Sequence, residues 1–253
     1  MNKTLTNKIL ITLAFLFAYR ILAFVPVPGV NSAVITDFFN QNSNNALGLF
    51  NMFSGGAAER FSIISLGVMP YITASIIMEL LAATFPNIGK MKKERDGMQK
   101  YMQIIRYATI FITLIQSIGV SIGLGGLHSQ SGQGAIMIND MNLFVFLSAI
   151  SMLAGTMLLM WLGEQITQRG VGNGISLIIF AGIVSGIPAA IGGTVDLINT
   201  GEMNFLTAFA ILLIILLTIG AIIFVELGER RVPISYSRKV VMQNQNKRIM
   251  NYI

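Results

Sequence analysis

Five stretches of the chain, roughly residues 9–25, 104–124, 141–163, 175–195 and 204–225, each run for about twenty mostly apolar residues. That is the length an α-helix needs to cross a hydrocarbon core about 30 Å thick. A chain with five such stretches cannot hide them all in a water-soluble core, so its solvent is a bilayer. Composition agrees: 54% of the 253 residues are hydrophobic and 11% are charged, against about 25% charged in soluble domains. In lipid every backbone amide and carbonyl needs an internal partner, which leaves helices or a closed barrel. The length and continuity of these runs select helices. The fold class is therefore all-α, a polytopic transmembrane helix bundle, with a sixth apolar stretch at about 67–85 following Pro70.

The basic residues orient the spans. Lys3 and Lys8 precede the first; Lys90, Lys92, Lys93, Arg95, Lys100 and Arg106 lie between the second and third; Arg169 lies between the fourth and fifth; and six more follow the sixth. With six spans, all of these fall on one side. The opposite loops, about 26–50, 125–140 and 196–203, hold Asp37, Asp140, Asp196 and Glu202 and no Lys or Arg. By the positive-inside rule the N-terminus is cytosolic. The net charge of +6 is thus confined to short loops and forms no nucleic-acid-binding face. It suits anionic lipid or a cytosolic partner. There is no cysteine, hence no disulfide, thiol nucleophile or thiolate metal site, and neither cofactor nor metal is expected. The first apolar run continues into VPVPG without a small-residue cleavage site, which reads as a retained helix rather than a signal peptide.

One stretch breaks the pattern. Residues 52–72 read MFSGGAAERFSIISLGVMPYI, with Gly55 and Gly56, then Glu59 and Arg60, then nine apolar-rich residues from Phe61 before Pro70. Nine residues make about 14 Å of helix, too short to cross. A charge at the bilayer centre costs about 2.5 to 3.5 kcal/mol even on the insertion scale, so Glu59 and Arg60 belong in water or behind protein. Broken backbone at membrane depth survives only where it lines a cavity or is buried. The expectation is a short half-helix dipping into a water-filled funnel, with Gly55 and Gly56 as its hinge and Pro70 opening the next spanning helix. The plainer alternative is an extramembrane loop with an amphipathic turn.

The residues NMFSGGAAERFSIISLGVMPYITASIIMELL resemble the plug and second helix of the SecY family, the central subunits of bacterial protein-conducting channels. RILAFVPVPGV (20–30), LMWLGEQITQRGVGNGISLIIFAGIVSGIP (159–188) and FVELGERRVPISY (224–236) are similar to the same family, in order and at the right spacing. The resemblance implies a ten-helix, pseudo-symmetric channel of which residues 1–199 supply helices one to five, with the plug at about 53–66. Residues 200–253 supply helix six and the start of a basic cytosolic loop. Helices seven to ten have no counterpart here.

The resemblance also assigns roles. Val68 and Ile72 on the second helix, and Ile175 and Ile179 on the fifth, match the aliphatic ring that closes the pore waist. Each pair is spaced i, i+4, which puts its two side chains on one helix face. Such a constriction excludes water and ions by dewetting, although Val and Ile at this spacing also suit ordinary packing. The plug is represented by Gly55, Gly56, Glu59, Arg60, Phe61 and Ile64, and the lateral gate by Ile76, Glu79 and Leu80. Many relatives have a neutral amide at the position of Glu79; here a carboxylate either pairs with a neighbouring helix or lies near the cytosolic surface. Arg230, Arg231, Arg238 and Lys239 match the loop that docks the motor ATPase SecA and the ribosome, though basic residues this close to a bilayer also hold anionic lipid. SecE and SecG subunits, and signal peptides and unfolded preproteins as cargo, follow from the family. The implied activity is passage of preproteins across, and release of apolar segments into, the cytoplasmic membrane, without catalysis.

Other features have simpler expectations. GEQITQRGVGNGIS (163–176) lacks the Gly-Lys-Ser/Thr ending of a phosphate-binding loop and reads as a tight cytosolic turn. Arg20, the basic residue inside the first span, lies about five residues from its outer end, where snorkelling to the interface is the simplest solution. Gly119 with Gly123, and Gly182 with Gly186, are small-xxx-small pairs suited to close helix packing. Met52, Met69 and Met78 would make an adaptable pore lining or ordinary packing. A secondary transporter also uses broken helices but places ionisable groups at mid-span for ion coupling, where this chain has few beyond Glu79 and Arg20. An intramembrane hydrolase needs a nucleophile and a base, and the single His128 sits in the outer-loop segment LHSQSGQG.

Overall fold

The structure is a computed structural model that describes residues 3–41, 46–126 and 134–228. Among them run nine α-helices: α1 (Lys3–Leu22), α2 (Ser32–Gln41), α3 (Ala46–Phe53), α4 (Met69–Thr84), α5 (Pro86–Lys93), α6 (Arg95–Leu124), α7 (Met141–Arg169), α8 (Gly174–Asn199) and α9 (Phe205–Glu226). Five apolar segments are long enough to span a membrane: Leu5–Leu22, Gly97–Leu124, Met141–Arg169, Gly174–Asn199 and Phe205–Glu226. The chain is an all-helical, multi-pass membrane protein.

The expected second span is shorter. α4 begins as anticipated with Pro70 in its first turn. It stops at Phe85, whose extended backbone (φ −105°, ψ 113°) is what a following proline imposes. Pro86 then opens α5 at an angle of 112° to α4. The 16 residues of α4 give about 24 Å of helix, so α4 reaches most of the way across and α5 turns aside with Lys90, Lys92 and Lys93 in its last turn.

Capping fixes other helix starts. Asp140 accepts from the Asn142 and Leu143 amides at α7, and Asn204 accepts from the Leu206 amide at α9. Each satisfies donors that the first turn leaves open.

Residues 1–190 and 191–253 form two compact units, and α8 passes from the first into the second. In the first, α6 and α7 make the most extensive helix pair. α6 buries Thr109, Thr113, Ser117 and Ser121 completely, four small polar residues at successive i, i+4 positions on one face. Thr109 and Thr113 return their hydroxyls to the carbonyls of Ile105 and Thr109 in their own helix. Small side chains that satisfy themselves in this way let helices approach closely in lipid. The glycine pairs do not play that part: a Cβ added at Gly119, Gly123 or Gly186 would meet nothing within 4 Å among the described residues. In the second unit α9 has no buried residue. A helix apolar on every side is built for an apolar environment.

Three apolar clusters make up the core of the first unit. One gathers Val27, Val30, Val34 and Ile35 with Phe61, Leu66, Phe144 and Met152. The next gathers Tyr19, Ala23, Ala57, Ile64 and Val68 with Leu159, Leu162, Ile166 and Ile178. The third holds α4 to α6 through Ala74, Met78, Tyr101 and Ile105.

Candidate functional site: broken stretch, aliphatic cluster and polar cavity

The broken stretch is buried in protein, as its length and charge require, but it is not the regular half-helix expected from sequence. From Ser54 to Val68 the chain is a succession of turns. Gly55, Gly56 and Gly67 take φ of +68°, +79° and +58°, and Phe61 takes +47°. Four left-handed residues in thirteen interrupt any right-handed helix. The glycines adopt that conformation freely. Phe61 is a bulky residue in a region costing of order 1–3 kcal/mol, and tertiary contacts hold it: its carbonyl accepts from the Val27 amide at 2.9 Å, and the residue is 2% exposed in the cluster with Val27, Phe144 and Met152. The Ile63 amide donates to the Val25 carbonyl at 2.9 Å. Residues 25–27 thus pair with residues 61–63 like a short antiparallel edge, and α7 backs this stretch so closely that a Cβ on Gly155 would collide with the Ile63 carbonyl.

Glu59 and Arg60 are half-buried against protein, with side chains 23% and 33% exposed. Asn51 of α3 grips Glu59 twice, accepting from its amide at 3.1 Å and donating to its carboxylate at 2.8 Å. Arg60 pairs with Glu59 at 3.2 Å and lies over the Phe24 ring, 4.4 Å from its centroid. The carbonyls of Glu59 and Arg60 accept from Thr36 and Ser32 of α2. Arg20 does not snorkel to the interface: its guanidinium donates to the Gly55 carbonyl.

The structure brings together the four residues that the resemblance matches to the ring. Val68, which caps α4, lies in one apolar cluster with Ala57 and Ile64 of the broken stretch, and Ile72, Ile175 and Ile179 pack against it. Beside this cluster, on the side bearing the Lys and Arg loops, opens a cavity of about 550 Å³ lined by Gln99, Gln103, Arg106, Glu164, Gln168 and Asn173, and also by Tyr71 and Ile175. Arg106 of α6 grips Glu164 of α7 with both carboxylate oxygens at 2.7 Å, the planar fork-to-carboxylate arrangement that Lys cannot reproduce. Sequence reasoning missed this pair, counting Arg106 only as a loop charge and Glu164 only as part of the turn. Opposite charges at the adjoining ends of two adjacent spans were the signal that could have found it.

The glycine-rich segment is the tight turn expected. Gly172 takes φ of +72°, and a Cβ on Gly174 would strike the Gly163 carbonyl. Its amides are already committed: Val171 to Thr12 Oγ1, Gly174 to Thr167 Oγ1, and Ile175 and Ser176 to Asn173 Oδ1. A phosphate would find few free donors.

Ile76, Glu79 and Leu80 are exposed along α4, with Ile76 and Leu80 54% and 63% accessible. The Glu79 carboxylate accepts from Lys92 of α5, which matches the paired or surface-exposed reading. That hydrogen bond raises the lysine pKa above its ordinary value. Met78 packs into the cluster with Ala74, Tyr101 and Ile105, whereas Met52 and Met69 are exposed. Arg230, Arg231, Arg238, Lys239 and His128 lie outside the described residues.

Comparison with known proteins decides the family. The family model described as SecY matches residues 62–253. The chain belongs to the SecY family. It is 72% identical over all 253 of its residues to the protein translocase subunit SecY of Helicobacter pylori, and 42% identical over 236 residues to that of Escherichia coli. It spans 60% and 53% of those SecY chains. Among solved structures it resembles a protein-conducting channel with TM-score 0.63 at 18% identity, over 100% of this chain and 54% of that one. It also resembles a SecY whose plug domain stabilises the closed state of the translocation channel and maintains a membrane seal, with TM-score 0.64 at 20% identity, over 100% and 53%. Sec61 in the canine ribosome-channel complex matches with TM-score 0.51 at 21% identity, over 81% and 44%. At these identities the likeness to solved structures is one of SecY fold.

Proposed function

We propose that this chain contributes the plug, half of the sealing ring and one wall of the lateral gate to a channel that passes unfolded preproteins and releases apolar segments into lipid. The observation that carries the reading is the single apolar cluster of Val68, Ile72, Ile175 and Ile179 with plug residue Ile64, next to a polar cytosolic cavity that shares Ile175. Aliphatic side chains without hydrogen-bonding groups hold out water and ions when closed, and can part around a peptide of any sequence. Ile76, Glu79 and Leu80 would face the departing signal peptide, which fits their exposure on α4. The chain would serve as a passive conduit without cofactor or catalytic residue, in the bacterial inner membrane with its N-terminus cytosolic. SecA and the ribosome would dock on Arg230, Arg231, Arg238 and Lys239, with SecE and SecG as partner subunits and anionic lipid around the basic loops.

The test is ion conductance of the full-length protein with its partner subunits in planar bilayers. Deleting 57–67 is expected to turn a tight idle channel into a leaky one. A deletion that leaves the membrane as tight as the parent overturns the reading.

A further inference from the structure

We propose that Arg20 is a positioning residue that latches the plug's glycine hinge and thereby holds the idle channel shut; this rests on the plug reading above. Arg20 is in the last turn of α1, and its Nη1 donates to the carbonyl of Gly55, 35 residues away. The preceding residue, Tyr19, donates its hydroxyl to the Ser54 carbonyl at 3.3 Å. Two adjacent side chains of one spanning helix thus take hold of two adjacent carbonyls of the hinge.

The hinge is shaped for that grip. Gly55 lies in the left-handed region, and a Cβ there would come within 2.7 Å of the Tyr19 hydroxyl and 2.9 Å of the Gly182 Cα of α8. Gly182, anticipated as a helix-packing residue, therefore makes room for the hinge instead. The guanidinium of Arg20 also lies 5.1 Å from the Phe24 ring centroid, and Arg60, carried by the plug, lies 4.4 Å from the same centroid. Phe24 is a shared seat for one cation from the wall and one from the stopper.

The grip is conditional on plug position. A guanidinium at this depth needs an acceptor, and the Gly55 carbonyl is one only while the hinge is seated. Leaving the seat strips Arg20 of this charge-assisted bond and Arg60 of its ring contact, so both favour the closed state. Losing a hydrogen bond to a charged group shifts an equilibrium by roughly tenfold or more.

The experiment uses the full-length protein with its partner subunits, in a background free of other cysteines, with Ser62→Cys in the plug. Ser62 is 0% exposed, so a membrane-impermeant maleimide added outside labels it only when the plug leaves. Arg20→Gln is expected to raise both idle conductance and labelling rate about tenfold. Arg20→Lys, which keeps the charge and one donor but not the flat stack on Phe24, should raise them less. Tyr19→Phe should raise them about two- to threefold, as one neutral hydrogen bond would. Both readouts are normalised to protein recovered in the membrane, so a variant that merely folds poorly loses protein without gaining label per molecule, and that result overturns the latch. Arg20→Gln as tight and unlabelled as its parent, in a membrane where the 57–67 deletion leaks, also overturns the latch and leaves the plug reading intact. A deletion that does not leak removes both.

Discussion

The broken stretch at residues 54–68 and α9 invert the rule learned from soluble proteins. Residues 54–68 contain glycines, three serines and an ion pair, yet Ser54, Ala57, Ala58, Phe61, Ser62 and Ile64 are at most 3% exposed. α9, with a mean hydropathy of 3.1 in its spanning window, buries nothing. In a bilayer the requirement to be covered falls on unsatisfied backbone rather than on apolar side chains. A perfect helix satisfies its own amides and can face lipid on every side. A broken one borrows partners, here the Val25 carbonyl and the Val27 amide, Asn51 and the α2 hydroxyls, and it is buried wherever those partners are.

That contrast can be broken by experiment, and the largest effect is expected where backbone meets backbone. Gly155→Leu puts a branched side chain where even a Cβ would collide with the Ile63 carbonyl. Neither main chain can yield without unseating the plug, so idle conductance should approach that of the 57–67 deletion; an unchanged, tight channel would show that α7 does not support the plug. On α9 the expectation divides by chemistry. Leu213→Asp places a charge near the middle of the span and should cost insertion about 2.5 to 3.5 kcal/mol. Leu213→Val should change it by no more than about 0.5 kcal/mol. Both are measured as the membrane-inserted fraction, and a valine as damaging as aspartate would mean that α9 packs specifically.

The smallest effect belongs to Glu79. Its pair with Lys92 is exposed, and exposed pairs contribute little. Lys92 has a raised folded-state pKa, so its contribution is fully present below the lysine's ordinary value and is lost as pH rises through the higher one. At neutral pH the pair is intact, and Glu79→Gln should leave Tm unchanged within error between pH 6 and 9. A clear drop in Tm would move Glu79 from surface partner to structural element.

Hydropathy and charge asymmetry made the spans legible, because both report on lipid and neither depends on tertiary contacts. The burial of the broken stretch was legible for a related reason: nine residues cannot cross, and Glu59 with Arg60 cannot face acyl chains. Its conformation was not. No local preference announces that Phe61 will take a left-handed backbone, since that comes from partners about 34 residues away in sequence, at Val25 and Val27. Arg20 was read as an interfacial charge because its acceptor is a carbonyl, and main-chain acceptors leave no mark in a sequence. The α6 hydroxyl stripe went unnoticed because Ser and Thr in apolar runs look like interruptions, whereas the glycine pairs that attracted notice mostly face open space.

Phe61 is the one non-glycine residue among those described with a positive φ, and it lies at the heart of the most tightly enclosed segment. A stopper built this way is never fully at ease when home, because leaving lets that backbone relax into a commoner shape. The unease offsets part of what the surrounding wall contributes, so under the proposed role less force would be needed to push the segment aside. Replacing Phe61 with glycine would ease that backbone yet empty the ring's place in the packed cluster, a loss of about 3 to 5 kcal/mol against the roughly 1 to 3 kcal/mol of strain relieved, so the net result is a segment held less firmly.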